Sequence, residues 1–428
     1  MIVLKRLFPQ YVKNIFHRLL ALCASVWFGF PASKLRVIGI TGTDGKTTTV
    51  QCISAILRAA RKRVAVASTI NFRIGDRQWV NASKFTTLSS WKLQKFLRQA
   101  VSDGCEYAVV EVSSHALDQG RIWGMHFDVA VITNVTREHL DYHKTMNAYR
   151  RAKRKLFECA ENGVINFDME DPSEFFCNTL NRRILYSRCD ASADVYAENI
   201  VTRIDGSTFS IDGVVFSLAL PGVFNVENAL AAISVADVLG ISRVTSATAL
   251  AELRGVPGRM EYVANDRHIT ILIDYAVTPN ALEKLYSLVR SIRSRAQSRI
   301  IAVFGACGDR DRGKRSIMGK IVSSYVDDII LTNEDPYTED PEKIVRDVQR
   351  GIEHRALNEH LWVIMDRREA IRKALHMATP GDIVVVTGKG AEETMMIGHQ
   401  LISWNDKRVI EELLEGMREG HKETSSSQ

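Results

Sequence analysis

The stretch Arg36 to Ser54, RVIGITGTDGKTTTVQCIS, constrains this chain more than any other. The apolar run RVIGI suits a buried strand, and TTVQCISAILRAA then changes to helical spacing. A strand that passes through a Gly/Thr loop into a helix makes a phosphate cradle. Gly42 and Gly45 let the backbone turn its N–H groups toward an anion, with Thr43 and Asp44 between them. Lys46 supplies a mobile charge at the start of the helix, Thr47 a hydroxyl that can hold Mg²⁺, and Thr48 a further polar group. The general phosphate-loop pattern asks for Gly where this chain has Ile40, and Gly39 stands one residue early. The loop is of ATP-binding type; its task has to be read from the remaining 400 or so residues.

A chain of 428 residues with 46% apolar and 25% charged content is long enough for two or three ordinary globular domains. Its net charge of +6 is small, and no basic run interleaved with aromatics points to nucleic acid, so small anionic substrates are expected. Seven cysteines without a C-x-x-C pair fit neither a disulfide framework nor a zinc ribbon and suit a reducing cytoplasm. Leu19 to Phe30 is apolar and preceded by Lys5, Arg6, Lys13 and Arg18, but it is too short to span a bilayer. As a secretory leader it would be cut near Ala32, leaving the nucleotide-binding strand as the new N-terminus. The expectation is a helix packed on the next domain and ended by Gly29 and Pro31, with no stable membrane insertion; association with a membrane surface is the alternative.

Residues 34–254 alternate strand-like and helix-like segments, the pattern of a mostly parallel sheet covered by helices. Ser68, Glu111, Asn134 and Asp168 stand at the carboxyl ends of strand candidates, where open α/β sheets gather ligands. Residues 193–222 read as antiparallel hairpins around a DG turn, and VENALAAISVADVLG as a helix stopped at Gly240. A second α/β series follows from 255 to 414, with ITILIDYA, RIIAVFGA, DIILTNE, LWVIMD and DIVVVTGKG as its strands. Residues 415–428 read as a flexible polar tail, and 1–33 as a short helical segment. The fold class is thus α/β, a P-loop-containing, mostly parallel sheet ATPase domain followed by a smaller, Rossmann-like α/β domain.

Glu111, a carboxylate delivered by an apolar strand, is placed as a Mg²⁺ partner of the loop, although such residues also cap helices. His139 and His143 are four apart and could share a helix face, with at most one expected as a ligand. On charge alone Arg150, Arg151, Lys153, Arg154 and Lys155 form a solvated basic face; Lys153, after Ala152 and three residues before Leu156, is the one that could turn inward.

The ordered motifs TGTDGKTTT, EVSSHALDQGRIWG, TNVTREHLDYHKTMNAYRRAKRKLF, GVPGRMEYV, DYAVTP, FGACGDRDRGKRSIMG, EDPYTEDP and GKGAEE resemble the Mur ligases of peptidoglycan synthesis, nearest to the MurE group. The resemblance covers residues 36 to 410 and implies an ATP-dependent, ADP-forming amide ligase of cell-wall biogenesis, cell shape and division. It would add an amino acid to a muramoyl-dipeptide-like precursor through an acyl phosphate. By motif, Thr47 and Glu111 would hold a nucleotide-side Mg²⁺, and Glu111, His139 and a carbamylated Lys153 would serve a second, with Lys46 as the catalytic cation. Carbamylation turns an amine into an oxygen donor suited to a hard ion. Thr86, Thr87, Ser113, Gln119 and Arg121 would hold the peptide substrate; for Thr86 and Thr87 a helix N-cap is the plain alternative. Asn225, Asn228, Arg259, Asp274 and Lys314 would contact ATP, and salt bridges are the plain alternative for the charged ones.

Two departures stand out. Only residues 1–33 precede the loop domain, where MurE-type enzymes carry a whole uridine-nucleotide-binding domain, so a substrate without UDP is in view. The amino-acid pocket of the resemblance comprises Arg310, Glu334, Asp335, Pro336, Tyr337, Gly388 and Glu392. Tyr337 replaces the Arg that pairs with the distal carboxylate of diaminopimelate in that group, which disfavours this amino acid. Two acids, Glu334 and Asp335, suit an amine-bearing side chain such as lysine, although EDPYTED also reads as a solvated loop. Val277 and Ala391 replace family histidines. The alternatives are a folylpolyglutamate-type or cyanophycin-type ligase and a non-ligating ATP-binding partner of an amidotransferase. Small-molecule partners and a monomer are expected.

Overall fold

The computed structural model describes residues 10–83, 85–293, 297–353 and 355–425. The chain divides into two compact units. One comprises the residues up to Thr136 together with Tyr142–Arg254; the other joins Arg137–Asp141 to the residues from Gly255 onward.

The first unit is built on a nine-stranded sheet in the order β4-β3-β2-β5-β1-β6-β7-β8-β9. In sequence these are β1 (Arg36–Thr41), β2 (Val64–Ala67), β3 (Asn71–Ile74), β4 (Arg77–Val80), β5 (Tyr107–Glu111), β6 (Phe127–Ile132), β7 (Ala160–Asn166), β8 (Arg182–Ser187) and β9 (Val195–Tyr196). Pairing is parallel from β2 through β9, and only β3 and β4 run antiparallel. The central strands are buried end to end, as near-continuous apolar runs require when helices cover both faces. The expected hairpins form an antiparallel sheet of β10 (Glu198–Arg203), β11 (Gly206–Ile211) and β12 (Val214–Leu218). The helix Val223–Val238 is buried on nearly all sides. Around β1 and β5 the core gathers Val37, Ala108, Val110, Phe127, Leu156 and Phe157.

The second unit holds a six-stranded sheet, β13-β14-β18-β15-β16-β17. Its strands are β13 (Glu261–Tyr262), β14 (Thr270–Asp274), β15 (Ile300–Phe304), β16 (Asp328–Leu331), β17 (Leu361–Val363) and β18 (Ile383–Thr387), all parallel except β13. A two-stranded hairpin, β19 (Thr394–Ile397) and β20 (Gln400–Ser403), follows.

The tail requires a correction. Instead of loosening at Glu415, the chain is helical over Asp406–Ser425, because Val409, Ile410, Leu413 and Leu414 are buried on the core and Met417 packs beside them. A wholly buried ion pair between Arg367 and Asp406, 2.7 Å apart, anchors the start of that helix. At the other end of the chain, Gln10–Trp27 is a helix followed by Phe30 in the left-handed region and by Pro31. Among the described residues no helix is long and apolar enough to cross a membrane.

Candidate active site

Strand β1 lies between β5 and β6, so the loop that follows it is flanked by the carboxyl ends of both neighbours. The loop could not carry side chains at its glycines. Gly42 has φ +152°, and a Cβ there would lie 1.8 Å from Thr133 Oγ1. Gly45 caps the helix Lys46–Ala59 with φ +83°, and its Cβ would meet Asn228 Oδ1 at 2.1 Å. Thr133 Oγ1 donates to the Asp44 carbonyl at 2.6 Å, Asn134 Oδ1 accepts from Asp44 N at 2.9 Å, and Thr43 N donates to Asn134 O at 2.9 Å. The loop is therefore pinned by the end of β6. Lys46 Nζ folds back onto the carbonyls of Gly42 and Thr43, at 3.1 and 2.8 Å. Thr48 is buried in the first turn of the helix. From the buried helix behind the loop, Asn228 accepts from Thr49 and donates to Asn225, which itself reaches Pro221 O.

Glu111 is 1% exposed at the end of β5. Its carboxylate accepts from Thr47 Oγ1 at 3.1 and 3.2 Å, from Thr69 N at 2.9 Å and from Thr69 Oγ1 at 2.9 Å. A buried carboxylate held, among the described residues, by the neutral donors of Thr47 and Thr69 is with that loop hydroxyl a donor set of hard oxygens that fits Mg²⁺. Thr69 was not singled out from sequence. It follows Ser68, which instead bonds Asn71, and one residue at the end of a short strand carries no signal of its own.

The peptide-substrate candidates form one network with Glu111. The hydroxyls of Thr69 and Thr86 are hydrogen-bonded at 3.2 Å, with Thr86 the donor because the Thr69 proton goes to Glu111. Thr87 Oγ1 donates to the Glu111 carbonyl at 3.0 Å and accepts from Ser113 N at 2.8 Å. Arg121 reaches Thr87 O at 3.3 Å and Gln119 Oε1 at 2.8 Å, and burial lowers its pKa. The N-cap alternative for Thr86 and Thr87 fails, since the helix Ser90–Ser102 is preceded by Ser89 at that position.

Lys153 turns inward, as its neighbours allowed. It is 1% exposed in the helix Met146–Arg154, donates to Gly42 O at 2.5 Å, and lies 4.4 Å from the ring centroid of Tyr149. Burial, reinforced by the charge of Lys46, drives its pKa well below the usual lysine value. The basic-face expectation holds for exposed Arg151 and Arg154 but not for Arg150, which is buried with ion pairs to Glu170, Asp171 and Glu174. Asp168 is taken up locally by Ser187 and Arg188 N. The shared helix face for His139 and His143 is also corrected. His139 is left-handed, with φ +56°, ahead of the four-residue helix Leu140–His143, and belongs to the second unit. His143 is buried against Ser114 Oγ at 3.0 Å.

In the second unit, Arg259 lies 4.6 Å over the Tyr275 ring, and Asp274 Oδ2 accepts from Met260 N at 2.8 Å. Lys314 is paired with Glu138 at 2.9 Å and donates to Val277 O. The amino-acid candidates lie on three loops, those that follow β15, β16 and β18. Arg310 sits 5.3 Å from the Tyr337 ring centroid. Lys389 Nζ bonds Asp335 at 2.9 Å and also Glu392. Gly388 lies against the Glu334 carboxylate, and Pro336 is buried beside Gly308. The solvated-loop reading of EDPY is therefore overturned, because Glu334 and Asp335 are 4% and 5% exposed. Asp335 is already neutralised by Lys389, a residue the sequence reading did not select, so the pair of acids reduces to one. No hydrogen bond or ion pair reaches Glu334 among the described residues, and burial, aided by Asp335, pushes its pKa up to about 7.

Family profiles agree with this arrangement. The Mur ligase middle domain matches residues 40–236, and the Mur ligase glutamate ligase domain matches residues 258–390. The UDP-N-acetylmuramoyl-L-alanyl-D-glutamate–2,6-diaminopimelate ligase of Bacillus cereus is 38% identical, covering 95% of this chain and 83% of its own length. The UDP-N-acetylmuramyl-tripeptide synthetase of Roseiflexus sp. is also 38% identical, over 92% of this chain and 82% of its own. A solved structure of a ligase with the same name as the Bacillus protein superposes with a TM-score of 0.61 at 34% identity, covering 90% of this chain and 79% of its own. Folylpolyglutamate synthase of Mycobacterium tuberculosis, at 16% identity and a TM-score of 0.69, shares the fold. The relatives over 30% identical thus favour the muramoyl reading over the folylpolyglutamate and non-ligating ones. The chain belongs to the Mur ligase family, whose members form amide bonds at the expense of ATP with Mg²⁺.

Proposed function

We propose that this chain adds an amino acid to a muramoyl-dipeptide-like precursor of peptidoglycan, activating the peptide carboxylate as an acyl phosphate. The observation that carries the reading is the unbroken hydrogen-bonded path from Thr47 through Glu111 and Thr69 to Thr86, Thr87, Ser113 and Arg121. It joins the ATP loop to the candidate peptide-substrate residues, Arg121 among them, within one unit. The substrate carboxylate attacks the γ-phosphorus of ATP, ADP leaves, and the incoming amine then displaces phosphate from the acyl carbon. Both reactants of the first step are anions, so positioning and positive charge do most of the work. Lys46 supplies one charge on leaving the loop carbonyls it caps, and Arg121 orients the peptide.

Mg²⁺, when bound to Thr47 and Glu111, would neutralise phosphate charge. As a carbamate Lys153 would serve a second Mg²⁺ by offering it oxygen donors: once deprotonated, its amine attacks CO₂, and the released proton goes to solvent. Within the second unit, Arg310, Glu334, Tyr337, Gly388 and Glu392 receive the amino acid. With Tyr337 at the position of the pairing Arg, the added amino acid needs no second carboxylate.

The test is an incubation with ATP, Mg²⁺, muramoyl dipeptide with and without UDP, and a panel of amino acids including lysine and diaminopimelate. ADP and a tripeptide of the right mass are the expected products. ATP hydrolysis without an amide product sinks the proposal, and a clear preference for diaminopimelate sinks its amino-acid clause.

A further inference from the structure

The helix Gln10–Trp27 is built the wrong way round for a surface helix of a globular unit. Such helices point their large apolar residues at the core. Here Ala21, Ala24 and Ser25 face the protein at 0–1% exposure, while Tyr11, Ile15, Leu19, Leu22, Val26 and Trp27 point outward. Their spacing of four, four, three and four residues up to Val26 makes one continuous stripe along about 22 Å of helix. Leu19 is 57% exposed and Trp27 74%. A scattered exposed Leu is unremarkable, but a stripe of this length on one face is a docking surface.

We infer that this face seats the protein on an anionic lipid surface, with the helix lying in the plane of the interface. Charge argues first. Residues 1–43 contain six Lys and Arg and no Asp or Glu, so they carry the whole +6 excess of the chain and the remainder is balanced. On the helix itself, Lys13 is half-buried and Arg18 exposed beside the stripe. Apolar residues on one face and cations at its margin are what an interfacial helix needs.

Aromatic placement argues next. Three of the six tryptophans gather at the C-terminal end of the helix: Trp27 and Trp91 have ring centroids 5.9 Å apart, and Trp123 precedes the Gly124 that faces Ser25. All three are exposed, and tryptophan favours the depth of lipid headgroups. The helix is too polar to cross the bilayer, which leaves the interface. It is also held firmly. Asn14 bonds Asp118, Gln10 bonds Tyr142, and the Arg18 stem lies across Gly120, beside the substrate candidates Gln119 and Arg121.

Full-length protein is to be sedimented with vesicles of phosphatidylglycerol and phosphatidylcholine, and with phosphatidylcholine alone, at low and high salt. Binding at least about tenfold stronger to the anionic vesicles, weakened by salt, is expected. Leu19→Glu with Val26→Glu is expected to reduce that binding at least about tenfold. Both positions are exposed, so the midpoint of thermal unfolding of this variant stays unchanged and reports that it has folded. Equal binding by the double variant, or no binding to either vesicle, overturns the inference. So does a dimer in sedimentation velocity that Leu19→Glu dissolves, because the stripe then belongs to a second copy.

Discussion

Lys153 and Lys389 are both shut away from water, and they are opposite solutions to the problem of a buried amine. Lys389 lies between Asp335 and Glu392. Burial works against its charge, but the two carboxylates more than offset it and hold its pKa above the usual lysine value. Lys153 has no salt bridge among the described residues. It meets a carbonyl, an aromatic ring and the charge of Lys46, and its pKa falls. The first amine is a structural cation that closes an acidic pocket. The second has its pKa lowered by burial beside a phosphate loop, which makes it the more easily deprotonated and so the better nucleophile of the two.

The largest expected effect tests that difference directly. Lys153→Ala should lower ligation, followed as ADP release, by about a thousandfold or more, which is about 4 kcal/mol of barrier. Lys153→Arg should not restore it, because a permanent cation cannot form a carbamate; an active Arg variant would erase the contrast between the two lysines. Lys389→Met should cost about 3–5 kcal/mol in urea unfolding, since it takes the cation away from buried Asp335 and half-buried Glu392. A loss below about 1 kcal/mol would mean that the acids are solvated.

Glu334 sharpens the comparison through pH. Its folded pKa, about 7, lies above the ordinary 4.5, so the folded state holds a proton that the unfolded state has released. Its contribution is complete below pH 4.5 and is lost as pH rises toward 7, by up to about 3 kcal/mol. Glu334→Gln should flatten the stability profile in that window, and an unchanged slope would show that the carboxylate is ionised throughout. The smallest effect belongs to Lys153→Met, whose stability should lie within about 1 kcal/mol of the parent or above it, because no partner is orphaned.

The loop, the strands beside it and most of the second α/β series were legible in the sequence because each is a local pattern. Glycine, strand and helix spacing are read within about twenty residues. Lys153 was only half legible: Ala152 and Leu156 allowed it to turn inward, but its charged neighbours argued for a solvated face, and Arg150 followed it into the interior through three acids far along the chain. For the EDPY segment the sequence leaves two readings open, a pair of acids for an amine-bearing amino acid and a solvated loop. Lys389, some fifty residues later, dries it and removes Asp335 from the inventory of free acids.

By itself the sequence determined the phosphate loop, the α/β class and the order of the motifs, since these rest on backbone conformations that neighbouring residues dictate. Only the tertiary structure decided which charges are paired. Thr69 joins Glu111 across a strand pairing, Lys389 meets Asp335 across the second sheet, and the first helix faces outward with its leucines. The physical reason is the same in each case. The energy of a charge or an apolar face depends on what lies within a few ångströms of it, and those neighbours arrive from distant parts of the chain.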